Sequence, residues 1–253
     1  MHPLLAHYLS LNAAVDTLRR DERGEVLKAS ERFYAHTARS HPDKKDTLLA
    51  TAGNPHLGED TQGALVFLAA HAALHALAED EAMGEKLASA REALKAEGAT
   101  DEEANQLFAS LLLEEAFGYD DGADAFDQAY FAETVDSVPT LAALTRERLL
   151  QMHDAFARTA NPTWREAHQL VARALLEEAF DEGPQPINPE HVQTALERAT
   201  AELGTANASR AKVTLKRLLF FLHKAELIGA LRLDRLSRAV DEAFPQAPSG
   251  LPN

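Results

Sequence analysis

The chain reads as all-α: a multi-helix bundle or helical-repeat architecture containing a duplicated helical unit. Three observations predict this. Ala, Leu and Glu are abundant while Val and Ile are few, which favours helix over strand. Apolar residues recur three and four positions apart, the period of a helix face. Pro, Gly, Asn and Asp cluster at intervals that cut the chain into helix-length pieces. At 253 residues with 45% hydrophobic content, the chain can bury a substantial core. It contains no cysteine, so neither a disulfide framework nor a thiolate metal site can form.

About ten helices are predicted. The first spans 3–20 and the second 22–40. A loop holding His41-Pro42-Asp43 follows, then a short helix near Thr47. GNPHLGED (53–60) breaks the chain before a helical region at 61–97, interrupted near Asp80. Thr100 followed by Glu103 is the signature of a capping box, opening a helix that ends near Phe117. A Gly/Asp-rich loop leads to helices at 126–136 and 140–159. Asn161-Pro162-Thr163 opens the next helix, with Pro in its first turn. The prolines of GPQPINP (183–189) stop that helix. Helices at 189–203, 207–230 and 233–244 complete the set. The expected domain layout is an N-terminal helical region at 1–97, duplicated units within 98–244, and a disordered tail at 245–253.

The duplication rests on EANQLFASLLLEEAF (103–117) and EAHQLVARALLEEAF (166–180), which align without gaps and agree at eleven of fifteen positions. A later echo, RLLQMHDA (148–155) and RLLFFLHKA (217–225), occurs in the same order. Units at about 100–160 and 163–230 follow, with Phe117 and Phe180 expected in equivalent core positions.

Charge is strongly segregated. Residues 96–145 hold twelve acidic side chains and no Lys or Arg, whereas 204–240 hold eight basic and two acidic, in a chain of net charge −15. Strong net negativity disfavours nucleic acid and anionic membrane, because each phosphate contact wants a cation. The longest apolar run, near 64–78, is shorter than the roughly 20 residues a membrane span needs. The N-terminal MHPLLAHYLSLNAAV has neither a basic leader region nor a small-residue cleavage site, so no signal peptide is expected. A soluble, cytoplasmic protein is the expectation.

Candidate chemistry is sparse. His71, His75 and Glu79 lie at i, i+4 and i+8, a spacing that puts three metal-ligating groups on one helix face. A zinc protease would need Glu between the histidines, where Ala stands. None of the eleven histidines has Asp or Glu three residues before it, which argues against a carboxylate-bridged di-metal bundle. His153-Asp154 lacks the upstream histidine that a helical phosphohydrolase requires. No phosphate-binding Gly-rich loop, nucleophile elbow or nucleophilic cysteine is present.

The acidic loop GYDDGADAFDQAYFAE (118–133) offers Asp120, Asp121, Asp124 and Asp127, followed by Glu133. Carboxylates so spaced could bind Ca²⁺ or Mg²⁺, although the EF-hand ligand order is absent. Their counterpart in the second unit, DEGPQPINPEHV, supplies Asp181, Glu182 and Glu190. These two loops resemble those of tellurite-resistance TerB-like helical domains. The tripeptide His41-Pro42-Asp43, with Lys44-Lys45 after it and Phe33 eight residues before the histidine, resembles the loop of J-domain co-chaperones. Phe67, Ala73 and Leu77 match the apolar stripe of that family's following helix, while His36 and Ala38 stand where it has leucines. The resemblance implies stimulation of a partner chaperone's ATPase.

In the segment 210–238, Leu215, Leu218, Leu219, Phe221 and Leu222 form an apolar face flanked by Arg210, Lys212, Lys216, Arg217 and Lys224. Such a helix packs its apolar face in the core and sets its cations against the 96–145 stretch, or else offers them to a partner. The expected function is a non-catalytic helical interaction protein, an adaptor, regulator or assembly factor. Its acidic surface of Asp120, Asp121, Asp124, Asp127 and Glu133 would meet a protein partner with a basic surface. Homo-oligomers are compatible with this, and no cofactor is required. The alternatives are a divalent-metal protein or enzyme using His71/His75 or the Asp120–Asp127 loop, and a J-domain-like co-chaperone.

Overall fold

A computed structural model describes residues 2–51, 58–117, 126–180 and 185–243. The described residues form thirteen α-helices, one 3₁₀ turn and no strand. The expected all-α class is therefore observed. The chain divides into two compact units, Met1–Val135 and Asp136–Asn253. This boundary falls inside a helix rather than at the 97/98 division expected from sequence. Among the described residues no single helix is long and apolar enough to cross a membrane.

In the first unit the predicted helix at 3–20 is two helices, α1 (Pro3–Tyr8) and α2 (Leu11–Glu22). Leu5 and Tyr8 of α1 are buried, as are Ala14, Val15 and Leu18 of α2. On one straight helix these sets would point roughly 100° apart, so an extended Ser10 breaks the helix and lets both face inward. Gly24, at φ +70°, turns the chain after α2 and delays α3 to Ala29–Ser40. Glu31 ties these elements together. Its carboxylate accepts from the Lys28 backbone N–H at 2.6 Å and from Arg20 Nη1 at 2.7 Å.

No loop separates α3 from α4 (Pro42–Thr51). Pro42 begins α4, where its missing N–H costs nothing. The helix α5 (Glu59–Leu77) is buried on nearly every side, and α1, α3, α4 and α7 (Asp101–Phe117) pack around it. Five of its alanines, Ala64, Ala69, Ala70, Ala72 and Ala73, are almost fully buried. The predicted interruption near Asp80 is present: Asp80 Oδ1 accepts from Met83 N at 2.9 Å and starts α6 (Glu81–Ala96). The predicted capping box also forms. Glu103 Oε2 accepts from Thr100 N at 2.8 Å, while Thr100 Oγ1 accepts from Glu103 N at 3.2 Å. The helix α8 (Gln128–Ala142) runs through Pro139, where sequence suggested a gap. Thr145 instead marks the break, its hydroxyl accepting from Arg148 N to open α9 (Arg146–Arg158).

In the second unit α10 (Arg165–Phe180) packs against α9, α11 (Pro189–Leu203) and α12 (Ala208–Lys224). Asn188 caps α11 through His191 N at 2.9 Å, and Gly204, at φ +81°, ends it. After α12, Glu226 adopts φ +61° and Leu227 N donates back to Leu222 O at 3.1 Å. This Schellman-type closure buries Leu227 and Ile228, so the helix predicted to reach 230 stops at Lys224. The last helix, α13 (Ala230–Ala243), carries Arg232, which is only 1% exposed and donates to the Ile187 carbonyl.

The sequence duplication does not extend to equivalent packing at its two phenylalanines. Phe180 is 8% exposed, within a cluster that includes Leu175, Leu196 and Leu219, whereas Phe117 is 55% exposed at the end of α7. The expectation that both occupy the core is corrected accordingly.

Candidate functional site

Four histidines of the first unit, His36, His41, His71 and His75, pair across α3, its junction with α4, and α5. The His71 ring stacks on Phe67 with centroids 4.0 Å apart, and its Nδ1 lies 2.9 Å from the Phe67 carbonyl oxygen. That contact places the proton on Nδ1. His41, at the α3–α4 junction, packs edge-on to Phe67 at 4.8 Å and lies 5.8 Å from His71. His36 of α3 lies 5.6 Å from His75. Burial holds His71 below its ordinary pKa, and the nearby His41 adds to that against the opposing pull of Phe67 O and Glu102. His75 remains accessible to solvent, yet its ring is partly desolvated. Together with His36, His71, Arg91 and His41, this lowers its pKa.

Sequence spacing did not reveal that His36 and His41 join His75 and His71, because they come from different elements. It also placed Glu79 with them wrongly. The helix α5 ends at Leu77, so the i+8 spacing does not continue, and Glu79 sits exposed in the turn. Among the described residues no group of three His, Cys, Asp or Glu is arranged to hold a metal ion.

His41-Pro42-Asp43 forms a helix junction, not the loop that the J-domain resemblance implies. The His41 ring is packed against Phe67, and Asp43 lies in the first turn of α4.

Of the five acidic residues expected at a partner surface, Asp120, Asp121 and Asp124 lie outside the described residues. Asp127 caps α8: its Oδ1 accepts from Tyr130 N at 2.9 Å, and its own N–H donates to Glu115 Oε1 at 2.9 Å. Glu133 is half-buried on α8.

The basic helix α12 divides its residues cleanly. Leu215, Leu218, Leu219 and Leu222 are buried. Lys212 and Lys216 pair with Asp241 of α13, at 3.2 and 2.6 Å. They are thus matched within the same unit, not with 96–145 as sequence suggested. The outer face is different. Arg210 and Arg217, two turns apart, converge on the Trp164 ring, their guanidinium carbons 5.3 and 5.0 Å from its centroid. Lys224 Nζ lies 5.3 Å from the centre of Phe220, which is 53% exposed, and Val213 is 41% exposed. Among the described residues none of these three cations has a carboxylate partner. Beneath them His168 stacks on Phe156 at 4.5 Å. Desolvation lowers its pKa, and the charge on Arg217 adds to that.

A separate depression of about 230 Å³, lined by Leu144, Arg148, Met152, Ala225 and Leu227, lies elsewhere in the second unit.

Compared with protein-family models, curated proteins and solved structures, the chain matches none. The class defined by fold and surface is an all-α protein of two compact helical units. Its second unit exposes a basic, aromatic helix face.

Proposed function

We propose that this protein is a non-catalytic, cytoplasmic interaction protein, an adaptor, regulator or assembly factor that recognises partners through segregated charge. The observation that carries this is the separation itself: twelve acidic residues and no Lys or Arg at 96–145, against eight basic and two acidic residues at 204–240. Segregated charge does little for a fold, since exposed pairs contribute only ~0–1 kcal/mol. It acts instead on encounter rates and on the choice of partner. In this proposal Asp120, Asp121, Asp124, Asp127 and Glu133 meet a basic protein surface. The cations Arg210, Arg217 and Lys224 of α12 support the same reading, because among the described residues they meet aromatic rings and no carboxylate.

The test is affinity capture from native lysate at about 50 and 300 mM salt, with wild-type protein and an Asp120→Asn/Asp121→Asn/Asp124→Asn variant. Capture should weaken steeply with salt and with the substitutions, while the melting temperature stays constant. Salt-insensitive capture, or none at low ionic strength, would sink the reading.

A further inference from the structure

We infer that the outer face of α12, together with Trp164, is a docking site for an acidic peptide segment that carries an apolar side chain. This rests on the interaction reading above and names the second surface's partner. Lys212 and Lys216 are matched by Asp241. Among the described residues Arg210, Arg217 and Lys224 meet aromatic rings and no carboxylate. An arginine laid on an indole has its fork held in place while its N–H edges stay open, so less side-chain entropy is lost when a carboxylate is bound. Bidentate guanidinium–carboxylate pairs are among the stronger polar contacts available.

The face also offers apolar contact, through Val213 and Phe220. From Arg210 to Lys224 it spans about 21 Å at ~1.5 Å per residue. An extended segment of six or seven residues covers that length.

Charge complementarity selects the occupant. All anions feel the −15 net charge of the chain, but the repulsion grows with the ligand's own charge and extent. A duplex carries one charge per ~1.7 Å, and an anionic bilayer is likewise charged far beyond the ~21 Å of this face, so both meet more of that repulsion than a short peptide does. A short segment with three or four carboxylates places its charge within a Debye length of the cations, about 8 Å at physiological salt.

Trp164 is the only tryptophan, so its fluorescence reports on this site alone. The full chain is titrated with a fluorescein-labelled seven-residue peptide of Asp and Glu around a central Phe. A Lys/Arg peptide of the same length, an oligo-dT strand and vesicles containing anionic lipid are titrated in parallel. Anisotropy gives the affinity and tryptophan emission gives the location. The acidic peptide should bind and change the emission. Arg210→Ala/Arg217→Ala should weaken it at least about tenfold, and Arg217→Lys, which keeps charge but loses the fork, by severalfold. Lys212→Ala/Lys216→Ala removes the same charge at matched positions and should weaken it less than about threefold. Circular dichroism verifies that each variant is folded.

No binding of the acidic peptide, equal loss in the two double variants, or tighter binding of oligo-dT or vesicles each overturns the proposal. If the peptide fails while salt-dependent capture through Asp120, Asp121 and Asp124 persists, this site is refuted and the broader reading stands. Loss of that capture alone refutes the broader reading.

Discussion

At the scale of single residues, the buried histidines His71 and His168 are the most consequential groups. His71 is 6% exposed and its pKa lies below the ordinary value, chiefly through burial. Unfolded, it titrates near ~6.5. Just below that pH the unfolded chain binds more protons than the folded one, so stability rises with pH in this window and is lost as pH falls through it. His75 and His168 act with the same sign. The lowered carboxylates Glu31, Asp21 and Asp241 act only at lower pH, near and below their ordinary range. Denaturant melts between pH 7.5 and 5.5 should therefore show stability falling with acidification, and His71→Gln should flatten the slope. A slope unchanged by that substitution would show that other groups dominate.

The phenylalanine pair makes a second residue-scale prediction. Phe180→Ala should cost about 3–5 kcal/mol, because it opens a cavity in a packed cluster. Phe117→Ala should change equilibrium stability by less than about 1 kcal/mol, as expected of an exposed site. Equal losses would restore the idea that the two copies are packed alike.

At the scale of elements, helix ends were more legible in sequence than helix continuity. Asp80, Thr100 with Glu103, and the Asn188-Pro189 start of α11 act where local chemistry places them. Ser10 and Pro139 could not be read locally, because burial on two faces breaks the first helix and α8 tolerates its proline. Gly84 shows tertiary context opposing propensity. Glycine inside a helix normally costs ~1 kcal/mol relative to alanine. Here an added Cβ would lie 2.7 Å from the Ala78 carbonyl oxygen, a backbone atom that cannot swing away. Gly84→Ala should therefore destabilise the protein, by about 1–3 kcal/mol. A rise in melting temperature would show that the α5–α6 turn adjusts.

At the scale of the whole molecule, ligand binding to the folded state raises stability by RT ln(1 + [L]/Kd). We predict that Ca²⁺, Mg²⁺ and Zn²⁺ leave the melting temperature within about 1 °C. A clear rise that is abolished by Asp121→Asn or His75→Ala would move the function to the metal class.

By itself the sequence determined the helical class, most caps and breaks, and the segregation of charge, because these depend on local propensity, short-range hydrogen bonding and composition. Only the tertiary structure decided which side chains meet. It joined His36 and His41 to the α5 histidines. It gave Phe117 and Phe180 different surroundings within near-identical stretches. It also matched Lys212 and Lys216 to Asp241 while leaving Arg210 and Arg217 on Trp164. The reason is physical: a helix's period tells which residues share a face, but what that face touches depends on elements far away in the chain.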